Sequence, residues 1–268
     1  MATATLNPSP TMTLRRPNAA VICLKEAKYE FLKSLRFPMF SVSTVLFPIM
    51  FYILFGLVMG RQMIAGVGTT TYLIVAYGTF GVMGASLFGT AAGLAADRGL
   101  GWLQVKKASP MPPFAYFFAK VVMSMIFSAV DVLLLLILGF SFGGVHLPAL
   151  VTLKLVVTLV GGSLPFCAMG LAIGYFARPN SAPALINIFY LPMSFCSGLW
   201  MPFMFLPKFI QHIAVFLPPY HLAQLAFNLV GSGQRGAASN HWDALIGFAM
   251  VCLGVAWAGH QRDQKANG

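Results

Sequence analysis

Charge is what this sequence has least of. Of 268 residues only 9% are charged, against roughly 25% in an ordinary soluble domain. A chain so poor in charge, 58% hydrophobic and with a mean hydropathy of +0.80, cannot cover a water-soluble surface. Acid is scarcest of all: six Asp and Glu face 17 Lys and Arg, for a net charge of +11. The cations sit in short stretches beside apolar runs, which is the pattern of membrane orientation and of attraction to anionic lipid, not of nucleic-acid binding. The four cysteines, Cys23, Cys167, Cys196 and Cys252, show no CxxC spacing, so neither a metal knuckle nor a disulfide framework is expected. GxxxxGK[ST] is absent, and so are HExxH and GxSxG. The chain therefore has no phosphate-cradling loop, no metal site and no catalytic residues of its own. The histidines, His146, His212, His221, His241 and His260, are well separated and suit anchoring or hydrogen bonding.

Long apolar runs are present instead. Several exceed the roughly 20 residues that cross a hydrocarbon core. The expected fold is an all-α, polytopic membrane protein with six transmembrane helices, at about 39–60, 71–95, 120–141, 151–176, 182–200 and 243–260. Pro48 is expected to kink the first. The first apolar run begins after Phe37 and is too long for a signal-peptide core, so no cleavable signal is expected. Residues 1–17, rich in Thr and Pro, read as a disordered tail, and 261–268 as a second tail. Between the first tail and the first span, 18–37 reads as an amphipathic interfacial helix. Ala20, Val21, Leu24, Ala27, Phe31, Leu32 and Leu35 share one face, Lys25, Glu26, Glu30, Lys33 and Arg36 the other, and Lys28 must snorkel. A solvated helix packed on a partner is the alternative.

With the N-terminus in the cytoplasm, six spans put thirteen cations inside and four outside, the four being Arg61, Lys154, Lys208 and Arg235. A seventh span through 201–230 would reverse the C-terminal cations. That stretch is apolar yet holds Pro202, Pro207, Pro218 and Pro219. Pieces too short to cross and too apolar for water read as a re-entrant helical hairpin on the outer side, before the last span. Helices lying flat at the interface are the alternative. The second span carries a ladder of small residues, Gly81, Ala85, Gly89 and Gly93, and Gly170 and Gly174 repeat the spacing in the fourth. Such a face packs either within one bundle or between two protomers.

Asp131 is the carboxylate inside a span, where a charge costs roughly 2.5–3.5 kcal/mol on insertion scales. It serves either as a cation or proton site or as an interhelical hydrogen-bonding group. Aromatic residues near the outer half of the fifth span, including Phe189, Tyr190, Phe195, Trp200 and Phe203, suit contact with an amphipathic molecule or an interfacial belt.

Two stretches carry a family likeness. One is SGLWMPFMFLPKFIQHIAVFLPPYHLAQLAF, with Gly198, Pro202, Leu206–Pro207 and Pro218/Pro219–Tyr220. The other is the inner loop DRGLGWLQVKKASPMPP, with Arg98, Gly99, Leu103, Ser109 and Pro110 in order. On these, from Ala19 to about Trp257, the chain resembles the ABC-2 type transporter permeases, the membrane subunits of ATP-driven exporters. It departs in keeping only Asp97 as acid at the start of the inner loop, and in Trp102. The resemblance implies a transport subunit, not an enzyme, in a bacterial inner membrane with both termini cytoplasmic. It implies pairing with a second permease protomer, identical or not, and with two ABC ATPase subunits, which would hold ATP and Mg. It also implies that loop 97–118 docks on the ATPase through Asp97, Arg98, Gly99, Trp102, Leu103, Lys106 and Lys107. An interfacial helix gripping anionic lipid is the alternative for that loop. The exported substrate is expected to be amphipathic: a drug, a lipid-like metabolite or a lipid-linked glycan. Asp131, Phe195, Trp200 and Phe203 are the pathway candidates. The rival class is an ion-coupled secondary transporter with Asp131 as proton site, although no inverted repeat is visible. A lipid-modifying membrane enzyme is a third class, disfavoured by the missing cluster of His, Asp or Glu.

Overall fold

The computed structural model describes residues 18–36, 38–58, 63–64, 66–109, 111–232 and 236–267, with the backbone alone for 38–43, 107–108, 113 and 266–267. The 1–17 tail, Arg61, Pro110 and Arg235 lie outside the described residues. In chain order, α1 runs Ala19–Leu35, and α2 runs Pro38–Phe51 and passes into a π-helical stretch, Tyr52–Val58. A two-rung hairpin follows, β1 Met63–Ile64 against β2 Val67–Gly68. Next come α3 Thr69–Leu87, a π-helical turn Phe88–Ala92, α4 Gly93–Gly99 and α5 Trp102–Ala108. The chain continues with α6 Pro113–Ser141, α7 Ala149–Gly161, α8 Ser163–Phe176 and α9 Ala182–Cys196. It closes with a 3₁₀ turn Phe203–Phe205, α10 Lys208–Ala214, α11 Pro218–Leu229 and α12 Ala238–Asn267.

Among the described residues four helices are long and apolar enough to cross a bilayer: Thr69–Gly99, Phe114–Ser141, Ala149–Phe176 and Ala238–Lys265. Two shorter apolar helices, Thr44–Val58 and Ala182–Cys196, stand where the first and fifth spans are expected. The third span starts earlier than the expected position 120. Lys120 is fully buried inside α6 and does not mark its end. The fifth ends at Cys196, because the turn into Gly198 needs a positive φ of 76°.

α3 is apolar all round and is buried along nearly its whole length. A helix of that kind belongs in the centre of a bundle. It packs against α2, α6, α8, α9 and α11, while α12 lies outermost against α8. Hydrophobic association is weak among helices in lipid, so close backbone approach has to supply the cohesion. The small-residue ladder does this, and it faces α6 of the same chain. A Cβ on Gly81 would fall 1.8 Å from Asp131 Oδ2, one on Gly89 2.8 Å from Ser124 Oγ, and one on Gly93 2.7 Å from Lys120 Nζ. Ala85 closes the remaining rung against Met123 and Phe127. The second ladder seats α8 on the π-helical turn, where a Cβ on Gly170 would meet Thr90 Oγ1 at 1.9 Å.

α1 is capped by Asn18, whose Oδ1 accepts from the Ala20 N–H. Its buried residues are Cys23, Ala27 and Glu30, packed towards α6, while Val21, Leu24 and Leu35 are exposed. Glu30, read from periodicity as part of the polar outer face, is instead turned inward.

Gly81→Val would drive a branched side chain into a buried carboxyl and should lower the thermal midpoint of the detergent-solubilised chain by several degrees. Gly254→Ala, which meets nothing within 4 Å, should leave it unchanged. Equal midpoints for the two variants would remove the ladder as the basis of α3–α6 packing.

Candidate functional site

At the end of the bundle where α4, α5 and α6 meet, the sequence supplies four charges that hydrophobic surroundings force together. Lys120 of α6 has no exposure, Asp97 of α4 is 1% exposed and Glu30 of α1 5%. A charge buried so deeply must be paired. Lys120 Nζ lies 2.6 Å from Glu30 Oε1 and 3.1 Å from Asp97 Oδ2. Tyr116 donates its hydroxyl to Asp97 Oδ2 at 2.8 Å, and Lys33 donates to Asp97 Oδ1 at 2.5 Å. Lys33, on the rim, has its pKa shifted by opposing effects: partial burial lowers it, but the carboxylates of Glu30, Asp97 and Glu26 prevail and raise it above the usual lysine value. Its charge, and the bonding it supports, is therefore present at neutral pH and is lost only at strongly alkaline pH.

Two further ion pairs extend this cluster to α5 and α12. Lys106 of α5 bonds Glu26 of α1 and lies over the Tyr116 ring. Arg98 donates to Asp263 of α12 through Nε (3.1 Å) and Nη2 (2.7 Å), and to the Gly174 and Tyr175 carbonyls of α8 through Nη1. The short helix α5 is thus tied to α1, while Arg98 at the end of α4 ties its base to α8 and α12.

The expected loop residues divide into two groups here. Asp97, Arg98 and Lys106 are engaged within the chain, and Gly99 abuts Pro179 so closely that a Cβ would lie 2.1 Å from its Cγ. Leu103 points inward, into a cluster with Leu94, Tyr116, Leu171 and Tyr175. Trp102 points outward with Leu100 and Val105, all three more than half exposed. Trp102 and Leu103, both expected among the docking residues, are therefore split between two faces. Lys107 lies in α5, where the backbone alone is described. Gly101, with a φ of 73°, starts α5 by reversing the chain after α4. Sequence reasoning missed Glu30, Tyr116 and Lys120. Their one signal was the spacing of Tyr116 and Lys120, four residues apart on one helical face.

At the opposite end, each proline of the hairpin region opens a helix. Pro202 precedes the 3₁₀ turn, Pro207 caps α10, and Pro218–Pro219 occupy the first turn of α11, where a missing N–H costs nothing. Phe203 and Tyr220 are buried against each other, with ring centroids 5.1 Å apart. His221 donates from Nε2 to the Val215 carbonyl (2.8 Å), so its Nδ1 accepts from His241 Nδ1 at 2.8 Å, joining α11 to α12. Burial pulls the His221 pKa below the usual histidine value; the Val215 carbonyl opposes that shift and His241 adds to it. His221 is therefore neutral at neutral pH, and acid loosens its bond to His241. A cavity of about 590 Å³ opens beside it, lined by Phe203, Lys208, His212, Tyr220 and His241 among others.

Of the aromatic candidates, Tyr190 and Trp200 converge on Phe80 of α3. Trp200 lies 5.8 Å from Phe80 and 5.3 Å from Phe51, and Tyr190 stacks on Phe80 at 4.7 Å. Phe195 is partly exposed and stands outside this group of rings. Asp131 is fully buried against Gly81. Among the described residues no group of three His, Cys, Asp or Glu could hold a metal ion.

Long apolar helices around a buried centre, a charged clasp at one end and a proline-opened hairpin region at the other define a multi-pass helical membrane protein. The ABC-2 type transporter family model matches residues 26–229, most of the chain, and the protein belongs to that family. It is a transport permease by family. A relative in Bacillus subtilis (strain 168), named "Putative transport permease YvfS", is 25% identical over 229 residues, covering 85% of this chain and 92% of its own.

Lys120→Met removes the fully buried cation between two buried carboxylates and should destabilise the fold by about 3–5 kcal/mol. Lys33→Met, at the half-exposed rim, should cost under about 1 kcal/mol. Denaturation of both variants in lipid-detergent micelles measures the contrast, and similar losses would place the cluster's centre elsewhere.

Proposed function

We propose that the chain is the permease subunit of an ATP-driven exporter that moves an amphipathic substrate outward across a bacterial inner membrane. On this reading α2 and α9 complete six spans, both termini are cytoplasmic, and α10 with α11 form a re-entrant hairpin on the outer side. Two permease protomers pair with two ATPase subunits, which hold ATP and Mg. The observation that carries the reading is the state of α5. Lys106 and the inward Leu103 fix it to α1, α6, α8 and α12, and its outer face presents Trp102 and Val105, beside Leu100 at the end of α4, to a partner. Exposed aromatic and aliphatic side chains on a rigidly held element are what a protein interface uses as an anchor. A push on α5 would pass through Lys106–Glu26 to α1, and through Arg98 and Asp97 to α12 and α6. The aromatic group around Phe80 and the Phe203–Tyr220 pair lie in the half of the bundle that leads to the hairpin, where an amphipathic substrate would leave.

The test is the double variant Leu100→Ala with Trp102→Ala, purified with its cognate ATPase. Truncating a central anchor costs about 2 kcal/mol, so affinity for the ATPase should fall roughly thirtyfold and transport with it, while the permease still inserts and folds. Unchanged affinity and unchanged transport would rule out α5 as the docking element.

A further inference from the structure

Asp131 is used by nothing so far described. It sits in a row on one face of α6, Tyr116, Lys120, Ser124, Ser128 and Asp131, at spacings of four, four, four and three. All five are buried, and the last four have no exposure. The row lies on the glycine face of α3 and α4, with Lys120 at Gly93, Ser124 at Gly89 and Asp131 at Gly81. Both carboxyl oxygens of Asp131 and the hydroxyl of Ser128 have no hydrogen-bond partner among the described residues. The elements packed around Asp131 bring no cation to it. α3 presents Gly81, and α2 presents the Pro48 ring, 3.1 Å from the same Gly81 Cβ position. α9 presents Tyr190, whose hydroxyl donates to the Phe80 carbonyl at 3.3 Å. On α6 itself the charged residue of the row is Lys120, about 16 Å away along the helix and already bound to Glu30 and Asp97.

A carboxylate in those surroundings would be a bare charge in apolar packing, at a cost of several kcal/mol. Adding one proton to one oxygen removes the charge and creates an O–H donor. We propose that Asp131 is a proton-binding site in the membrane core of this permease, with the Ser124 and Ser128 hydroxyls, each able to accept and donate, forming the route to it from the Lys120 end. The ligand is the proton itself. The step is a protonation, with no electron transfer and no leaving group. Protonated, Asp131 packs dry against the Gly81 backbone. Ionised, it demands water, and α6 must part from α3. Because the proton is held only while these helices are together, the α3–α6 contact is proton-dependent, whatever the transported substrate.

The experiment uses the full chain in lipid nanodiscs, without ATPase or substrate, so its failure leaves the transport reading intact. Infrared spectra at neutral pH should contain the carbonyl-stretch band of a protonated carboxyl in apolar surroundings. The band should shift in D₂O, be absent from Asp131→Asn, and move but persist in Asp131→Glu. Dicyclohexylcarbodiimide, which attacks protonated carboxyls in apolar sites, should add to the peptide containing Asp131. The folded chain holds a proton that the unfolded chain releases, so raising the pH by one unit near neutrality should lower the wild-type folding constant by up to about tenfold relative to Asp131→Asn. Superimposable carboxyl bands in wild type and Asp131→Asn, with parallel stability profiles against pH, would overturn the proposal.

Discussion

Burial of Lys120 between Glu30 and Asp97 is the constraint on which the rest of this structure depends. Three ions without access to water can persist only if none loses its partners, so α1, α4 and α6 must keep their relative positions at that end of the bundle. Tyr116 occupies a remaining acceptor of Asp97, and Lys33 closes the rim. Lys106 and Arg98 reach out from this centre, so a short helix with little packing of its own becomes a fixed handle. Rigidity here means that any displacement of α5 moves whole helices and is not absorbed in a loop.

The glycine ladder is the counterpart of that clasp. A charged lysine, a serine and a carboxyl could not lie against a helix bearing ordinary side chains. Gly93, Gly89 and Gly81 leave the backbone of α3 and α4 bare where those groups arrive. The same small residues that allow close approach in lipid therefore admit a polar seam into the interior. Ala85 keeps one rung apolar, where Met123 and Phe127 fill the space. Closeness and polarity are one feature of this helix pair, and loosening the contact exposes both.

The hairpin region works by different physics. Its prolines stand at helix starts, where they lose no hydrogen bond and pre-set the backbone, so the segment is a series of short helices and not a damaged long one. Phe203 on Tyr220 and His221 on His241 bind the pieces to one another and to α12. Cohesion here rests on a few aromatic and imidazole contacts, in contrast to the buried ions at the other end.

Sequence by itself determined the class and much of the layout. Scarce charge and long apolar runs require a helical membrane protein, and proline spacing marks the segment that cannot be one straight helix. Small residues four apart mark a close helix contact. Which surface fills that contact is a tertiary matter: the ladder faces α6, and no periodicity within α3 names its partner. Lys120 looked like a loop cation and Glu30 like part of a solvated face, since each alone would be too costly to bury. Only the folded chain brings them to 2.6 Å, because opposite charges 90 residues apart in sequence cancel one another's desolvation once three helices meet. Local pattern specifies elements and their apolar faces; the rotation of each helix about its axis depends on all its neighbours at once, and that rotation decided which polar groups are buried together.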